Sequence, residues 1–139
     1  MVSQVRRARS RVLVVDDEPL VASAARRLLA RNHEVEVAHS AHAALERLSH
    51  SAFDAIVCDV MMPRMNGIEL HARLVQLAPA QAGRMIFLTG GVFDEVAEHF
   101  LRRHQRWCMA KPFDPAELLD LVARRIAHAD PLALGTRMV

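Results

Sequence analysis

Three aspartates, one threonine and one lysine in this chain are of the types that handle phosphoryl groups. Asp16 and Asp17 stand together, with Glu18 directly after them. Asp59 closes the run "DAIVCD", Thr89 closes "RMIFLT", and Lys111 follows "WCMA". Carboxylates held close together resist ionisation unless a cation intervenes. Magnesium suits such a set, because it takes oxygen ligands and keeps several waters beside one or two carboxylates and a phosphate. A lysine and a hydroxyl opposite would grip phosphoryl oxygens, and phosphoryl transfer asks for little beyond in-line placement and charge neutralisation. Asp59, between metal and lysine, would then be the nucleophile and would carry an aspartyl phosphate.

Taken singly, each residue has a plainer reading. An acidic triplet after a strand is commonly a solvated loop, an aspartate is a ready helix cap, and a lysine before a proline is commonly surface charge. Lys111 is, however, the only lysine among eighteen basic residues. Arginine does not replace lysine where a compact ammonium is needed. What decides between the readings is whether the chain brings these residues together.

Short apolar runs alternate with helical patterns throughout. The strand-like segments are 11–15, 34–38, 54–59, 84–89 and 107–110, and the helical ones 19–31, 40–50, 66–78, 92–104 and 114–129. Pro19 suits a first helical turn, and Ser40 and Asp114 suit N-cap positions; Pro115 and Glu117 extend the latter towards a capping box. Phe93, Val96, Ala97 and Phe100 fall on one helical face. Five strands alternating with five helices predict an α/β, doubly wound parallel sheet covered on both faces. Ligands of such sheets sit outside the carboxyl ends of the strands. The first strand ends on Asp16, Asp17 and Glu18, the third on Asp59, the fourth on Thr89 and the fifth on Lys111. The second ends on Ala38 and His39, which offer nothing comparable.

Composition narrows the alternatives. With 52% hydrophobic and 24% charged residues, the 139-residue chain is one folded domain rather than a disordered one. A net charge of +2 gives no basic face for nucleic acid. The only basic cluster, "RRARSR", lies in a predicted tail over residues 1–10; the domain is expected over 11–129, with a second tail over 130–139. No secretory signal or membrane span is visible, so a cytoplasmic location without membrane insertion is expected. Cys58 and Cys108 give no metal-ligand spacing and read as buried strand residues. A glycine-rich phosphate loop, a dinucleotide fingerprint and a nucleophile elbow are all missing. Most of the eight histidines read as solvated surface.

The motifs "VLVVDDE", "DAIVCDVMMPRMNG", "IFLTG" and "AKPF" resemble, in order, those of the receiver domains of bacterial two-component response regulators. The resemblance runs from about residue 11 to 128 and is most specific from Asp59 to Gly67. It implies a flavodoxin/CheY-like fold with strand order 2-1-3-4-5. It also implies Asp59 as phosphoacceptor, and Asp16, Asp17, Asp59 and the carbonyl of Met61 as the magnesium site. Thr89 becomes the switch hydroxyl, Lys111 the phosphoryl-binding ammonium, and a cis bond is expected before Pro112. Gly90 would leave room beside the phosphate, and Gly91 would loosen the loop that follows. Many family members carry an aromatic residue three positions before the lysine; Cys108 stands there, with Trp107 directed to the opposite face. In that strand order the two cysteines lie two spacings apart, ~10 Å, too far for a disulfide.

The implied function is that of a phosphoacceptor, not an enzyme acting on other substrates, which assists its own phosphoryl transfer and slow self-dephosphorylation. Its donor would be a histidine kinase or phosphotransfer protein, and its output a further protein partner. No DNA-binding segment is expected after the domain, and the ending "LTGG…KPFDPAEL" resembles receivers of hybrid histidine kinases, while a free-standing regulator fits equally. A metal-dependent phosphohydrolase is the second class; it lacks a second acid two residues after Asp59, where Met61 stands. A phosphorylation-independent interaction module is the third.

Overall fold

The structure, a computed structural model, describes residues 9–91 and 94–129. Strands β1 (Arg11–Val15), β2 (Glu34–Ala38), β3 (Ala55–Asp59), β4 (Met85–Thr89) and β5 (Cys108–Ala110) form one sheet in the order β2-β1-β3-β4-β5. All neighbouring pairs are parallel. β1 and β3 lie inside the sheet and are covered on both faces, which is why they read as continuous apolar runs. The sheet thus has the predicted order and sense.

Among the described residues the helices are α1 (Pro19–Leu29), α2 (Ala41–Leu48), α3 (Gly67–Leu77), α4 (Pro79–Ala82), α5 (Glu95–Arg103) and α6 (Pro115–Ala127). That is six where the pattern suggested five. The extra one, α4, is a single turn opened by Pro79. A proline disfavours helical backbone in the residue before it, and Ala78 accordingly sits at φ −153°, ψ 71° between α3 and α4.

Successive side chains leave a strand on opposite faces. Leu13, Ile56, Cys58 and Phe87 therefore enter a layer with Ala44, Leu70 and Leu74 from α2 and α3, with Phe100 of α5 packed against it. Val12, Val14, Val57 and Leu88 enter the other, beneath Ala22, Ala25, Leu118 and Val122 of α1 and α6.

The cysteines illustrate the register. Phe87 is the in-register partner of both Cys58 and Cys108, so a whole strand separates them, and both thiols are free. Cys108 is only half-buried, not a core residue as expected. Trp107 ends a 3₁₀ turn (Gln105–Trp107) ahead of β5 and packs on the opposite layer, as its offset requires.

Local signals differ in two details. Ser40 and Asp114 cap as predicted, accepting from the N–H groups of Ala43 (3.0 Å) and Glu117 (3.0 Å). No reciprocal bond from the exposed Glu117 side chain accompanies the Asp114 cap; a complete capping box is formed by Asn66 and Glu69 at α3. Val96 is 71% exposed rather than on the inner face of α5, where Ala97, Phe100 and Leu101 lie instead. Phe93 lies outside the described residues.

Candidate functional site

The sheet brings the predicted residues to one edge. Asp16 continues the β1–β2 ladder by one residue, its N–H donating to the Ala38 carbonyl at 3.1 Å. Asp59 is the last residue of β3. Both are buried, at 1% and 3% exposure. Oxygens of Asp16, Asp17 and Asp59 lie within 4.8 Å of one another. Lys111 enters from the end of β5, its Nζ 3.4 Å from Asp16 Oδ2 and 3.5 Å from Asp59 Oδ2. The Lys111–Pro112 peptide bond is cis, as expected.

Thr89 closes β4, and its carbonyl accepts from the Lys111 N–H at 2.7 Å, which ties the ends of β4 and β5 together. The cavity beside the carboxylates, about 640 Å³, is lined by Asp17, Glu18, Asp59 and Lys111, with Met61, Gly90 and Gly91 around them. Met61 donates its N–H to Asp59 Oδ1 at 3.3 Å, and its side chain is 52% exposed at the mouth. No described glycine has positive φ. A Cβ on Gly90 would meet Lys111 Cβ at 3.5 Å, ordinary contact, so the room it leaves lies along the lysine stem.

The electrostatics of the cluster follow from burial. Asp59 is pushed up to about 6, by burial first and then by the neighbouring Asp16 charge, which together outweigh Lys111. Asp16 is raised as well, again chiefly by burial. Burial by itself would lower Lys111, but the Asp16 and Asp59 charges and the Glu18 contact more than reverse it. The pocket therefore holds more negative charge than one ammonium compensates. Three converging hard oxygen donors with a charge deficit fit magnesium by chemistry and by number.

Several contributors were not legible in the sequence. Gly67 opens α3 against the end of β3, where an added Cβ would lie 2.7 Å from the Asp59 carbonyl oxygen and 3.0 Å from Val60 Cα. That close approach, with the Gly67 N–H donating to the Val60 carbonyl at 3.0 Å, fixes where Asp59 ends. Arg64, in the same loop, holds φ at 67°, a conformation uncommon outside glycine. His39, read as offering nothing, places Nδ1 3.2 Å from the Asp16 carbonyl oxygen.

Behind the site, Thr89 shares its face of the sheet with Phe87 and, across the register, with Cys108 and Ala110. Cys108 is no ring, and its Sγ points to the carbonyls of His104 (3.2 Å) and Leu101 (3.7 Å). Aromatic bulk on this face comes from the helices instead. His71, buried at 8% exposure rather than solvated, meets Phe100 at 5.2 Å and His104 at 5.0 Å between ring centroids. Phe100 and His104 stack at 4.2 Å. His71 lies on the same stripe of α3 as Leu70 and Leu74, which is the signal that marks it as inward.

Comparison with known proteins agrees with this geometry. The family model of the response regulator receiver domain matches residues 12–123. The response regulator MprA of Mycobacterium ulcerans is 46% identical over 65 residues, 46% of this chain and 28% of that protein. The response regulator protein FleR of Pseudomonas aeruginosa is 34% identical over 113 residues, 81% of this chain and 24% of that protein. The chain thus spans about a quarter of the length of these relatives. Among solved structures, a putative response regulator from Chloroflexus aurantiacus superposes with a TM-score of 0.74 at 30% identity, covering 86% of this chain and 99% of that one. A CheY-like receiver domain protein from Methanospirillum hungatei gives 0.76 at 26% identity, over 86% and 95%. With the match covering all five strands and the strand-end carboxylates they carry, the chain belongs to the response regulator receiver domain family.

Proposed function

We propose that this receiver takes a phosphoryl group onto Asp59 from the phosphohistidine of a histidine kinase or phosphotransfer protein, and that the change alters a surface read by a protein partner. The observation that carries the reading is the buried Asp59 carboxylate facing both Lys111 and a cavity open to a donor. Asp16, Asp17, Asp59 and the Met61 carbonyl would hold magnesium. Bound there, the cation supplies charge neutralisation for an anionic donor approaching an anionic nucleophile. Lys111 orients a phosphoryl oxygen, and the Asp59 oxygen attacks in line. The Thr89 hydroxyl closes on the transferred group, and the packing of α5, through Phe100 and Leu101, against His71 and Cys108 carries the change outward. The chain acts on itself and turns over no other substrate.

Acetyl phosphate with magnesium tests this directly. Intact mass is expected to rise by one phosphoryl group, and chelation should abolish the gain. An unmodified mass with magnesium present would favour the phosphorylation-independent interaction module.

Two variants extend the test. Lys111→Arg keeps the charge but replaces a point donor with a planar fork; labelling is expected to fall by roughly tenfold or more, the scale of a lost charge-assisted contact. Labelling at the parental rate would return Lys111 to plain surface charge. Met61 and Gly91 flank the approach of a hydrolytic water, and neither side chain holds or deprotonates water. Met61→Asn supplies a polar partner and is expected to shorten the life of the purified phosphoprotein severalfold. Equal or slower loss of label would refute shielding by methionine.

A further inference from the structure

We propose that Glu18 is a positioning residue for Lys111, holding its ammonium at the cavity mouth and competing there with the incoming phosphodonor. The proposal rests on the phosphoacceptor reading above. Glu18 occupies the N-cap position of α1 yet makes no side-chain cap. At the other helices of eight residues or more, Ser40, Asn66, Asp94 and Asp114 all cap through their side chains. The Glu18 carboxylate is turned to Lys111 instead, at 3.2 Å, nearer than Asp16 (3.4 Å) or Asp59 (3.5 Å). Its backbone is anchored for this, the Glu18 N–H donating to Asp16 Oδ1 at 2.9 Å.

The three carboxylates around Nζ are not equivalent. Asp16 and Asp59 are buried and belong to the converging oxygen set, whereas Glu18 is outside that set and its side chain is 60% exposed. Glu18 is therefore the partner free to be displaced. A phosphoryl oxygen must take its place on Nζ, and until it does the donor meets an extra negative charge at the entrance. Exposed ion pairs are individually weak and salt-sensitive. That suits a contact that has to break on every phosphorylation event.

The test uses the full chain and Glu18→Gln, with Glu18→Ala as a second variant. Lys111 is the only lysine, so ¹³Cε-labelled lysine gives one side-chain signal. In metal-free buffer that signal is expected to move in both variants, and high salt should shift the parent towards them. Labelling rates are then measured against acetyl phosphate concentration with magnesium. The half-saturating concentration is expected to fall roughly two- to fivefold in Glu18→Gln, the range an exposed pair carries, with the maximal rate nearly unchanged. The difference should shrink in high salt. An unmoved lysine signal overturns the contact, and an unchanged or higher half-saturating concentration overturns the competition. A parent that gains no phosphoryl mass overturns the phosphoacceptor reading and this proposal together, and is recognised by the parent alone.

Discussion

Asp59→Asn is expected to gain no phosphoryl mass from acetyl phosphate and, in the absence of metal, to be more stable than the parent at pH 7. The first effect is loss of the nucleophile. The second follows from the carboxyl being raised from 3.8 to about 6 in the folded protein. A raised carboxyl binds its proton more tightly folded than unfolded, so stability falls as pH rises between these values. The penalty is absent below pH ~4 and complete above pH ~6, where it is on the order of 1–3 kcal/mol. Asparagine keeps the shape and removes the charge. Urea unfolding of both proteins from pH 4 to 8 reads the difference, which should grow as pH rises and narrow on adding magnesium to the parent. A variant less stable than the parent at pH 7, or a difference that widens on acidification, would sink the electrostatic account.

Gly67→Ala carries the largest expected loss of stability. At a first helical position alanine normally improves a helix by up to ~1 kcal/mol over glycine. Here the added Cβ would meet backbone, the Asp59 carbonyl oxygen at 2.7 Å and Val60 Cα at 3.0 Å, with Cys58 Sγ at 3.2 Å. No rotamer change relieves a backbone clash, so α3 or the end of β3 must move. A net loss of about 1–3 kcal/mol is expected, together with slower phosphorylation, because what moves carries Asp59. Gly91→Ala is the control, since nothing lies within 4 Å of a Cβ there. If Gly67→Ala unfolded at the parental urea concentration, the packing of α3 would not be what sets the acceptor.

The sequence was most informative where chemistry coincides with strand ends. β1 and β2 begin and end where alternation and apolar runs place them, and the other strands fall within one residue of their expected starts. Asp16, Asp59 and Lys111 converge because a parallel sheet carries every strand's carboxyl end to one edge. What stayed hidden depends on contacts between distant segments. Gly67 looked like an ordinary helix start, since its demand comes from β3. Glu18 looked like one more solvated acid, since its partner lies across the sheet on β5. Arg125 is the sharpest case: arginine reads as surface, yet this one is 1% exposed. Its Nε donates to the Met85 carbonyl at 3.0 Å, and its guanidinium covers the Trp107 ring at 4.1 Å. Neither contact is visible from the α6 pattern alone.

That last arrangement gives the molecule two native reporters, one on each side of the sheet. Trp107 is the only tryptophan, buried in the α1–α6 layer beneath a cation. Its emission therefore follows the undocking of α6. Cys58 lies fully buried in the opposite layer, where burial and the Asp59 and Asp16 charges keep its thiol protonated and inert. A thiol reagent reaches it only when that layer opens, and the modification is read at Cys58 itself because the half-buried Cys108 is a second free thiol. Light records one half of the sandwich and alkylation the other, without a label being introduced. Whether the halves part together or in turn becomes a comparison of two curves from the same sample.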